Sequence, residues 1–190
     1  MNFDLRRRLA GGVFLHPTSY VRPENQIKVM AKTKLSAMLH TCNEAPHLER
    51  CLDSLRPCDE VIVIDHGSTD DTVKIAREHG ARVIQAVNGV HKGAYSQDVR
   101  NDWVLVLAPN ESVGEDLEAS LFEWREGEPA AGAMGYNIRI REQNGGEWKF
   151  SEPEMRLANR KQINWTGDLP PSVPNAPALQ GHIIRIKDDV

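Results

Sequence analysis

Short apolar runs, separated by segments of helical periodicity, are the feature that most constrains the fold of this chain. The run EVIVID, residues 60–65, is apolar along almost its whole length, as is typical of a parallel strand buried on both faces. It follows another apolar run, LSAMLHT, and a segment whose apolar residues recur at helical spacing. A strand, a helix and a strand in this order predict a right-handed crossover between two parallel strands.

The same pattern continues further along the chain. A second helical segment, GSTDDTVKIAREHG, precedes a third strand pattern, ARVIQA, and a loop leads to a fourth, WVLVL. Helix starts are expected at Asn43, at Ser68 or Thr69, and at a capping box formed by Ser112 and Glu115. The N-terminal half is therefore predicted to be a parallel α/β unit.

The C-terminal half has a different pattern. The segment MGYNIRIR alternates between apolar and polar residues, as a half-exposed antiparallel strand does. GEWKF, EMRLAN and HIIRI are further short strand patterns, separated by NGG and by the proline-rich segment LPPSVPNAPAL. The predicted sheet is therefore mixed, with a parallel half of the nucleotide-binding type joined to a half of mixed strands.

Length and composition set the expected domain organisation. A chain of 190 residues with 40% hydrophobic content is long enough for one domain with a core and a short arm. Residues 1–31 lack clean periodicity and contain a run of three arginines, which predicts an N-terminal arm before a domain over residues 32–190. The three cysteines have no metal-site spacing and are interpreted as small buried hydrophobic residues.

Several functional classes are excluded at this level. The formal net charge of −4 argues against nucleic acid as a general partner, because phosphate binding needs a basic surface. No apolar run approaches the ~20 residues of a membrane span, and the patch LAGGVFL near the start is marginal as a secretory signal. We expect a cytoplasmic protein without a membrane span.

Ligands of open α/β sheets bind beyond the carboxyl ends of the strands, near the point where the strand order reverses. Three predicted strand ends matter here: the turns at residues 41–44, 65–68 and 108–111. Asp65 ends an otherwise apolar run, so its carboxylate must be paired or hydrogen-bonded. Two roles remain open for it: a contact to a base or ribose, or a structural cap on the turn at Gly67.

The segment KLSAMLHTCNEAPHLERCLDSLRPCDEVIVIDHGSTDDTVKIAREHGARVI resembles the N-terminal half of family-2 glycosyltransferases, which transfer a sugar from a nucleotide donor. The resemblance implies the α/β fold called GT-A, a mixed sheet with helices on both faces. It also implies a nucleotide pocket in which Thr41, Asn43, Glu44 and Asp65 hold the base and ribose. A nucleotide-diphosphate sugar is thus a possible ligand.

The family's acidic metal site is missing from this sequence. Family members place an Asp-x-Asp turn after the fourth strand, where two carboxylates hold a divalent cation on the donor diphosphate. Aligning WVLVLAPNE with that turn puts Ala108 and Asn110 at the two carboxylate positions. Glu111 and, on a later strand, His182 are the only weak candidates for metal contact. A divalent metal is therefore doubtful, and no cofactor is expected.

The residues that would move a proton are altered as well. A family segment of the form W-x-G-x-V-H-E supplies a histidine and a general base, whereas this chain reads WTGDLPP, with Pro170 and Pro171 at those positions. Asp168 is a weak substitute. The loop before the fourth strand is shortened, and Arg100 is the possible remnant of a donor-binding pair.

Three functions remain open. The losses favour a non-catalytic glycosyltransferase-like domain, kept as a structural or scaffold subunit that binds protein partners through the N-terminal arm and the proline-rich segment. The alternative is an active, metal-independent sugar transferase in which Lys92 or Arg100 neutralises the diphosphate. The third is a sensor that binds a nucleotide or sugar without turnover.

Overall fold

The computed structural model describes residues 32–144 and 146–187. The predicted arm, residues 1–31, and the last three residues of the predicted domain lie outside this part. The three α-helices are α1 (Ala45–Asp53), α2 (Thr72–Glu78) and α3 (Glu115–Glu126), and a 3-10 helix spans Lys92–Gln97. The strands are β1 (Leu35–Thr41), β2 (Glu60–Asp65), β3 (Arg82–Gln85), β4 (Trp103–Leu107), β5 (Glu111–Val113), β6 (Gly135–Asn144), β7 (Glu147–Phe150), β8 (Glu154–Asn159) and β9 (Ala178–Ile186).

The parallel half of the sheet agrees with the sequence pattern. Strands β3, β2, β1 and β4 lie side by side in that order, and all three pairings are parallel. The chain builds outward from β1 to β3 and then returns to the other side of β1 for β4. The strand order therefore reverses between β1 and β4, where a ligand crevice is expected at the carboxyl edge.

The second half of the sheet is mixed, as predicted. Strand β8 runs antiparallel to β4 and to β6, whereas β9 runs parallel to β6 and antiparallel to β5. The capping box predicted at Ser112 and Glu115 is wrong, because Ser112 lies in β5 and pairs with Ile184. Helix α3 begins after Gly114 instead. Helical spacing did not reveal a three-residue strand within this segment.

The other two predicted caps are also displaced. Glu44 rather than Asn43 occupies the N-cap of α1, and Asp71 rather than Ser68 or Thr69 occupies that of α2. None of these N-cap residues bonds its own helix through its side chain. Asn43, Ser68 and Thr69 instead join the turn after β1 to the turn after β2.

The three α-helices cover one face of the sheet. Their buried side chains, including Leu48, Ala76 and Leu117, belong to one apolar cluster with Leu39 and Leu105 of the strands. On the opposite face the resemblance implied helices, but the described chain has only the 3-10 helix and an irregular segment over residues 163–176. The proline-rich segment packs here: its Leu169, Val173 and Ala176 lie against this second cluster.

Gly93 lets the 3-10 helix pack closely against the irregular segment over residues 163–176. A Cβ at this position would lie 2.3 Å from the backbone oxygen of Trp165 and 2.4 Å from its ring. Trp165 is itself buried in the second cluster. Any side chain at this position would clash with Trp165, because non-bonded carbon and oxygen atoms cannot approach to such short distances in a packed interior.

Replacing Gly93 with alanine should therefore destabilise the protein by about 2 kcal/mol or more, through overpacking against Trp165. The measurement is urea denaturation followed by circular dichroism. Gly127→Ala is the matched control, because a Cβ there meets nothing nearer than 3.8 Å. Equal midpoints for the two variants would contradict the close packing.

Candidate functional site

A cavity of about 350 Å³ opens at the carboxyl edge of the sheet, between β1 and β4. Its walls include His40 of β1, the turn at residues 108–111, and Lys92, the first residue of the 3-10 helix. Arg156 of β8 and Arg185 of β9 complete it from the antiparallel half. The crevice thus lies where the reversal of strand order predicts one.

The turns after β1 and β2, which carry the predicted nucleotide-binding residues, bind each other. The backbone N–H of Asn43 donates to Ser68 Oγ at 2.9 Å, and that of Glu44 donates to Thr72 Oγ1 at 2.8 Å. In return, Asn43 Oδ1 accepts from the backbone N–H of Thr69 at 2.8 Å. We call these two turns, residues 41–45 and 65–72, the paired turns.

Asp70 and Asp65 complete the paired turns. Asp70 accepts from the backbone N–H of Ala45 at 3.2 Å and from Thr72 Oγ1 at 2.5 Å. Asp65, only 2% exposed, accepts from the backbone N–H groups of Gly67 and Ser68, each at 3.2 Å. Of the two roles left open for Asp65, the structure shows the cap on the turn at Gly67.

Thr41 does not point a hydroxyl into the cavity wall. Its side chain is 2% exposed, and its Oγ1 is buried without a hydrogen-bond partner among the described residues. Alternation along β1 places it on the opposite face from His40. The predicted nucleotide-binding residues Thr41, Asn43, Glu44 and Asp65 are therefore brought together at one edge. Thr41 and Asp65 are paired residues of neighbouring strands, and the other two bind residues of the turn after β2.

Arg100 does not join them. Its guanidinium is 3.6 Å from Glu60, the first residue of β2, and its side chain is exposed. This is the amino edge of the parallel strands, whereas the cavity lies at the carboxyl edge. Arg100 therefore does not line this cavity, and its part in nucleotide binding stays a prediction.

Glu111 is the centre of a buried ionic cluster at the cavity wall. Its side chain is fully buried, and that of Arg156 is 2% exposed. The two form a bidentate pair, with Arg156 Nη1 donating to Oε2 at 2.8 Å and Nη2 donating to Oε1 at 2.9 Å. Arg185 adds Nε at 2.8 Å and Nη2 at 2.6 Å, both on Oε1.

Glu111 also accepts a hydrogen bond from the backbone. Its Oε2 also accepts from the backbone N–H of Ala108 at 2.8 Å. Burial opposes the charge on Arg185, but Glu111 and Glu142 outweigh burial and raise the pKa of Arg185 above its usual value. We call Glu111, Arg156 and Arg185 the ionic cluster.

The residues of this turn do not fit a divalent metal. Both oxygens of Glu111 already accept hydrogen bonds, and two guanidinium groups lie beside it. Asn110 directs its amide Nδ2 to the backbone oxygen of Ile186 at 3.1 Å, and Ala108 offers no side-chain ligand. In the described part of the chain, no group of three or more His, Cys, Asp and Glu residues is arranged to hold a metal.

The other weak metal candidate, His182, is absent from the cavity lining. Its ring makes an edge contact with Phe150, with the ring centroids 5.5 Å apart. Burial, followed by the positive charge of Arg141, lowers the pKa of His182 below its usual range. The nearby positive charges of Arg139 and Arg141, both on β6, make this position unfavourable for a cation.

Asp168, the candidate base, does reach the cavity. Its Oδ2 pairs with Lys92 Nζ at 2.8 Å, and both side chains are substantially exposed. Pro170 is buried and Pro171 is exposed, and neither lines this cavity. Asp168 is therefore a carboxylate at the cavity that is paired with a lysine.

His40, which lines the cavity, is paired with a second histidine, His66. His40 Nδ1 and His66 Nε2 lie 2.9 Å apart, and the ring of Tyr95 contacts His40 edge-on. Burial, and then the nearby charges of His66 and Lys92, lowers the pKa of His40 from 6.5 to about 4. His40 is thus neutral at physiological pH, and one imidazole donates to the other.

Sequence reasoning missed the two arginines of the ionic cluster. A usable signal was present: Arg156 stands inside an otherwise apolar stretch of EMRLAN, and a buried charge of this kind requires a buried counter-charge. The partner could not be identified from spacing alone, because Arg156 lies 45 residues from Glu111.

Comparison with known proteins gives a family match over most of the chain. The family model described as Glycosyl transferase family 2 matches residues 36–174. An uncharacterized glycosyltransferase of Rickettsia bellii is 37% identical over 89 residues, covering 45% of this chain and 30% of the relative. Glucosyl-3-phosphoglycerate synthase of Mycobacterium tuberculosis is 37% identical over 90 residues, covering 43% of this chain and 28% of the relative.

Solved structures give weaker likenesses. The M. tuberculosis synthase in complex with Mn²⁺, UDP and glucosyl-3-phosphoglycerate matches at 25% identity with a TM-score of 0.42, covering 60% of this chain and 45% of that one. S. aureus TarS matches at 17% identity with a TM-score of 0.48, covering 63% and 39%. The chain spans about a third of the length of the curated relatives it matches. None of the described helices has both the length and the apolar content to cross a bilayer.

Replacing Glu111 with glutamine should lower the free energy of unfolding by about 3 kcal/mol or more, because the buried guanidinium group of Arg156 and the partly buried one of Arg185 lose the carboxylate that they share. Urea denaturation measures the loss. Glu126→Gln is the matched control, since its pair with Lys32 is solvent-exposed, and its stability should be nearly unchanged. A stable Glu111→Gln variant would show that the ionic cluster does not hold the fold.

Acid should weaken the fold through His40. The unfolded chain takes up this proton near pH 6.5, whereas the folded chain resists it down to about pH 4. The free energy of unfolding should therefore fall as the pH drops through this window, by about 1–2 kcal/mol for this partly exposed ring. Denaturation at several pH values should show that the free energy of unfolding falls less steeply with decreasing pH in His40→Gln than in wild type. In the control His91→Gln, whose ring is exposed, it should fall as steeply as in wild type. Identical profiles for wild type and His40→Gln would contradict the assignment.

Proposed function

The chain belongs to glycosyl transferase family 2, with the α/β GT-A fold of that family, and from this premise we propose that it is a member without metal-dependent transfer chemistry. Its domain serves as a structural or scaffold subunit that binds other proteins. The observation that carries the proposal is the state of Glu111, the one carboxylate left in the turn after β4, whose oxygens are all occupied by arginines and a backbone N–H.

The charge around the cavity supports this proposal. A divalent ion needs uncommitted oxygen ligands and a negative site. Arg156, Arg185 and Lys92 line the cavity against two carboxylates, Glu111 and Asp168, and both carboxylates are paired with cations. The site therefore disfavours a cation for two reasons: it lacks free ligands, and it already contains positive charge.

Retention of the family motifs does not require retention of nucleotide binding. The side chains of Asn43, Ser68 and Asp70 hold the paired turns together, and Asp65 caps its own turn. A chain that lost transfer chemistry would still need these residues for folding. The resemblance in this segment is thus compatible with a non-catalytic role.

A metal-independent transferase is the second candidate. It is favoured by Lys92, whose ammonium group lies at the cavity beside Asp168. A cationic side chain can stabilise a departing diphosphate electrostatically. In this role Asp168 would be the group that accepts the proton of an acceptor hydroxyl, because Pro170 and Pro171 stand where the family has its histidine and base.

The decisive measurement is calorimetric titration of the full chain with UDP and with GDP, each in Mn²⁺ and in EDTA. We expect no enhancement of binding by Mn²⁺. The M. tuberculosis synthase, whose complex with Mn²⁺ and UDP is solved, is the positive control. Micromolar binding that requires Mn²⁺ would overturn the proposal, and binding that ignores Mn²⁺ but is lost in Lys92→Ala would favour the second candidate.

The double variant Ala108→Asp with Asn110→Asp tests whether carboxylates alone restore the site. We expect no sugar transfer, because Pro170 and Pro171 remain and because an aspartate at position 110 would face the backbone oxygen that Asn110 now binds. Release of nucleotide from UDP-sugar or GDP-sugar donors is the readout. Metal-dependent release by the double variant would contradict this expectation.

A further inference from the structure

The hairpin formed by β6 and β7 presents exposed aromatic rings at the free edge of β7. Trp148 is 41% exposed and Phe150 is 58% exposed. Strand β7 pairs only with β6 in the described sheet. Large exposed rings side by side are uncommon on a surface without a binding role.

The backbone of the same two residues points away from β6. Ser151 donates its N–H to Ile140 at 2.9 Å, and residues of an antiparallel pair alternate between bonding toward the partner and away from it. Ser151, Lys149 and Glu147 therefore bond toward β6, whereas Trp148 and Phe150 direct their N–H and C=O groups outward. The free edge thus has main-chain donors and acceptors at the residues with exposed rings.

Two arginines of β6 lie over these rings. The guanidinium of Arg141 is 4.7 Å from the centroid of Trp148, and that of Arg139 is 5.5 Å from the centroid of Phe150. Neither arginine has an ion-pair partner among residues 32–187 as far as the structure describes them. In a chain of net charge −4, two such cations held over aromatic rings form a local positive surface.

We propose that the free edge of β7, with Arg139, Arg141, Trp148 and Phe150, binds an extended acidic peptide segment of a partner protein, which adds to the sheet as a further strand. Main-chain hydrogen bonds to Trp148 and Phe150 hold the segment, as in other cases of strand addition. Acidic side chains at alternate positions of the added strand reach the two guanidinium groups. The surface is separate from the cavity, so this inference is independent of whether the cavity binds a nucleotide.

The test is a selection of displayed random peptides of about ten residues, enough to span the four-residue edge, on the full wild-type chain and on Arg139→Glu/Arg141→Glu. We expect acidic peptides rich in β-branched residues on the wild type and not on the double variant. Lys149→Glu is the matched control, because Lys149 lies on the opposite face of β7, and it should keep the selection.

One selected peptide is then synthesised with and without backbone N-methylation, and its affinity is measured by fluorescence anisotropy. We expect the double variant to bind about tenfold more weakly or worse, and N-methylation at the edge-facing positions to abolish binding. Circular dichroism establishes that the variants are folded.

Three results would overturn the proposal. These are the absence of enrichment over uncoated resin, an enrichment that the double variant retains, and equal binding of the N-methylated peptide. Sedimentation onto phosphatidylcholine vesicles containing about a quarter phosphatidylglycerol, without peptide enrichment, would assign the surface to anionic lipid. Self-association abolished by the double variant, again without enrichment, would assign it to a second copy of the chain.

Discussion

One buried carboxylate, Glu111, connects the strands of the mixed half of the sheet to one another, and Arg156 extends this network to β4 of the parallel half. Glu111 lies on β5, directly after β4, and receives Arg156 from β8 and Arg185 from β9. Arg156 also donates to the backbone oxygen of Val106 at 3.3 Å, and Arg185 pairs with Glu142 of β6. Five strands therefore meet at this ionic cluster. Removing any one partner would leave a charge in a dry environment, where it is costly.

The ionic cluster also determines the chemistry available at the cavity. In a metal-dependent site, carboxylates in this turn would remain open to the ligand. Here Arg156 and Arg185 neutralise the charge of Glu111, and both guanidinium groups line the cavity. The same ion pairs thus connect the strands and set the charge of the cavity wall. A change that frees Glu111 for a ligand would also separate the strands that it connects.

The sequence predicted most of the parallel half, because β1, β2 and β4 are mostly apolar runs and nearly all of their residues are buried. It predicted the mixed second half only in outline. The strand β5 and the parallel pairing of β6 with β9 depend on contacts between distant segments, which local periodicity does not contain. At the site, the turns around Asn43 and Asp65 were placed correctly. The ionic cluster and the contact of Arg100 with Glu60 were not predicted, since both depend on which segments become neighbours.

The exposed residue types of β6 and β7 are explained by their position in this topology. The opposite face of β6 packs into the core through Ile138 and Ile140, which are fully buried, so Arg139 must point outward. No described α-helix packs on that outward face, because all three α-helices lie on the other side of the sheet. A sheet edge and face that no helix covers usually carry polar or charged side chains, which disfavour association with other chains. It instead carries two rings and two arginines that have no ion-pair partner within the described part of the chain, which is the composition expected of a surface that another chain covers.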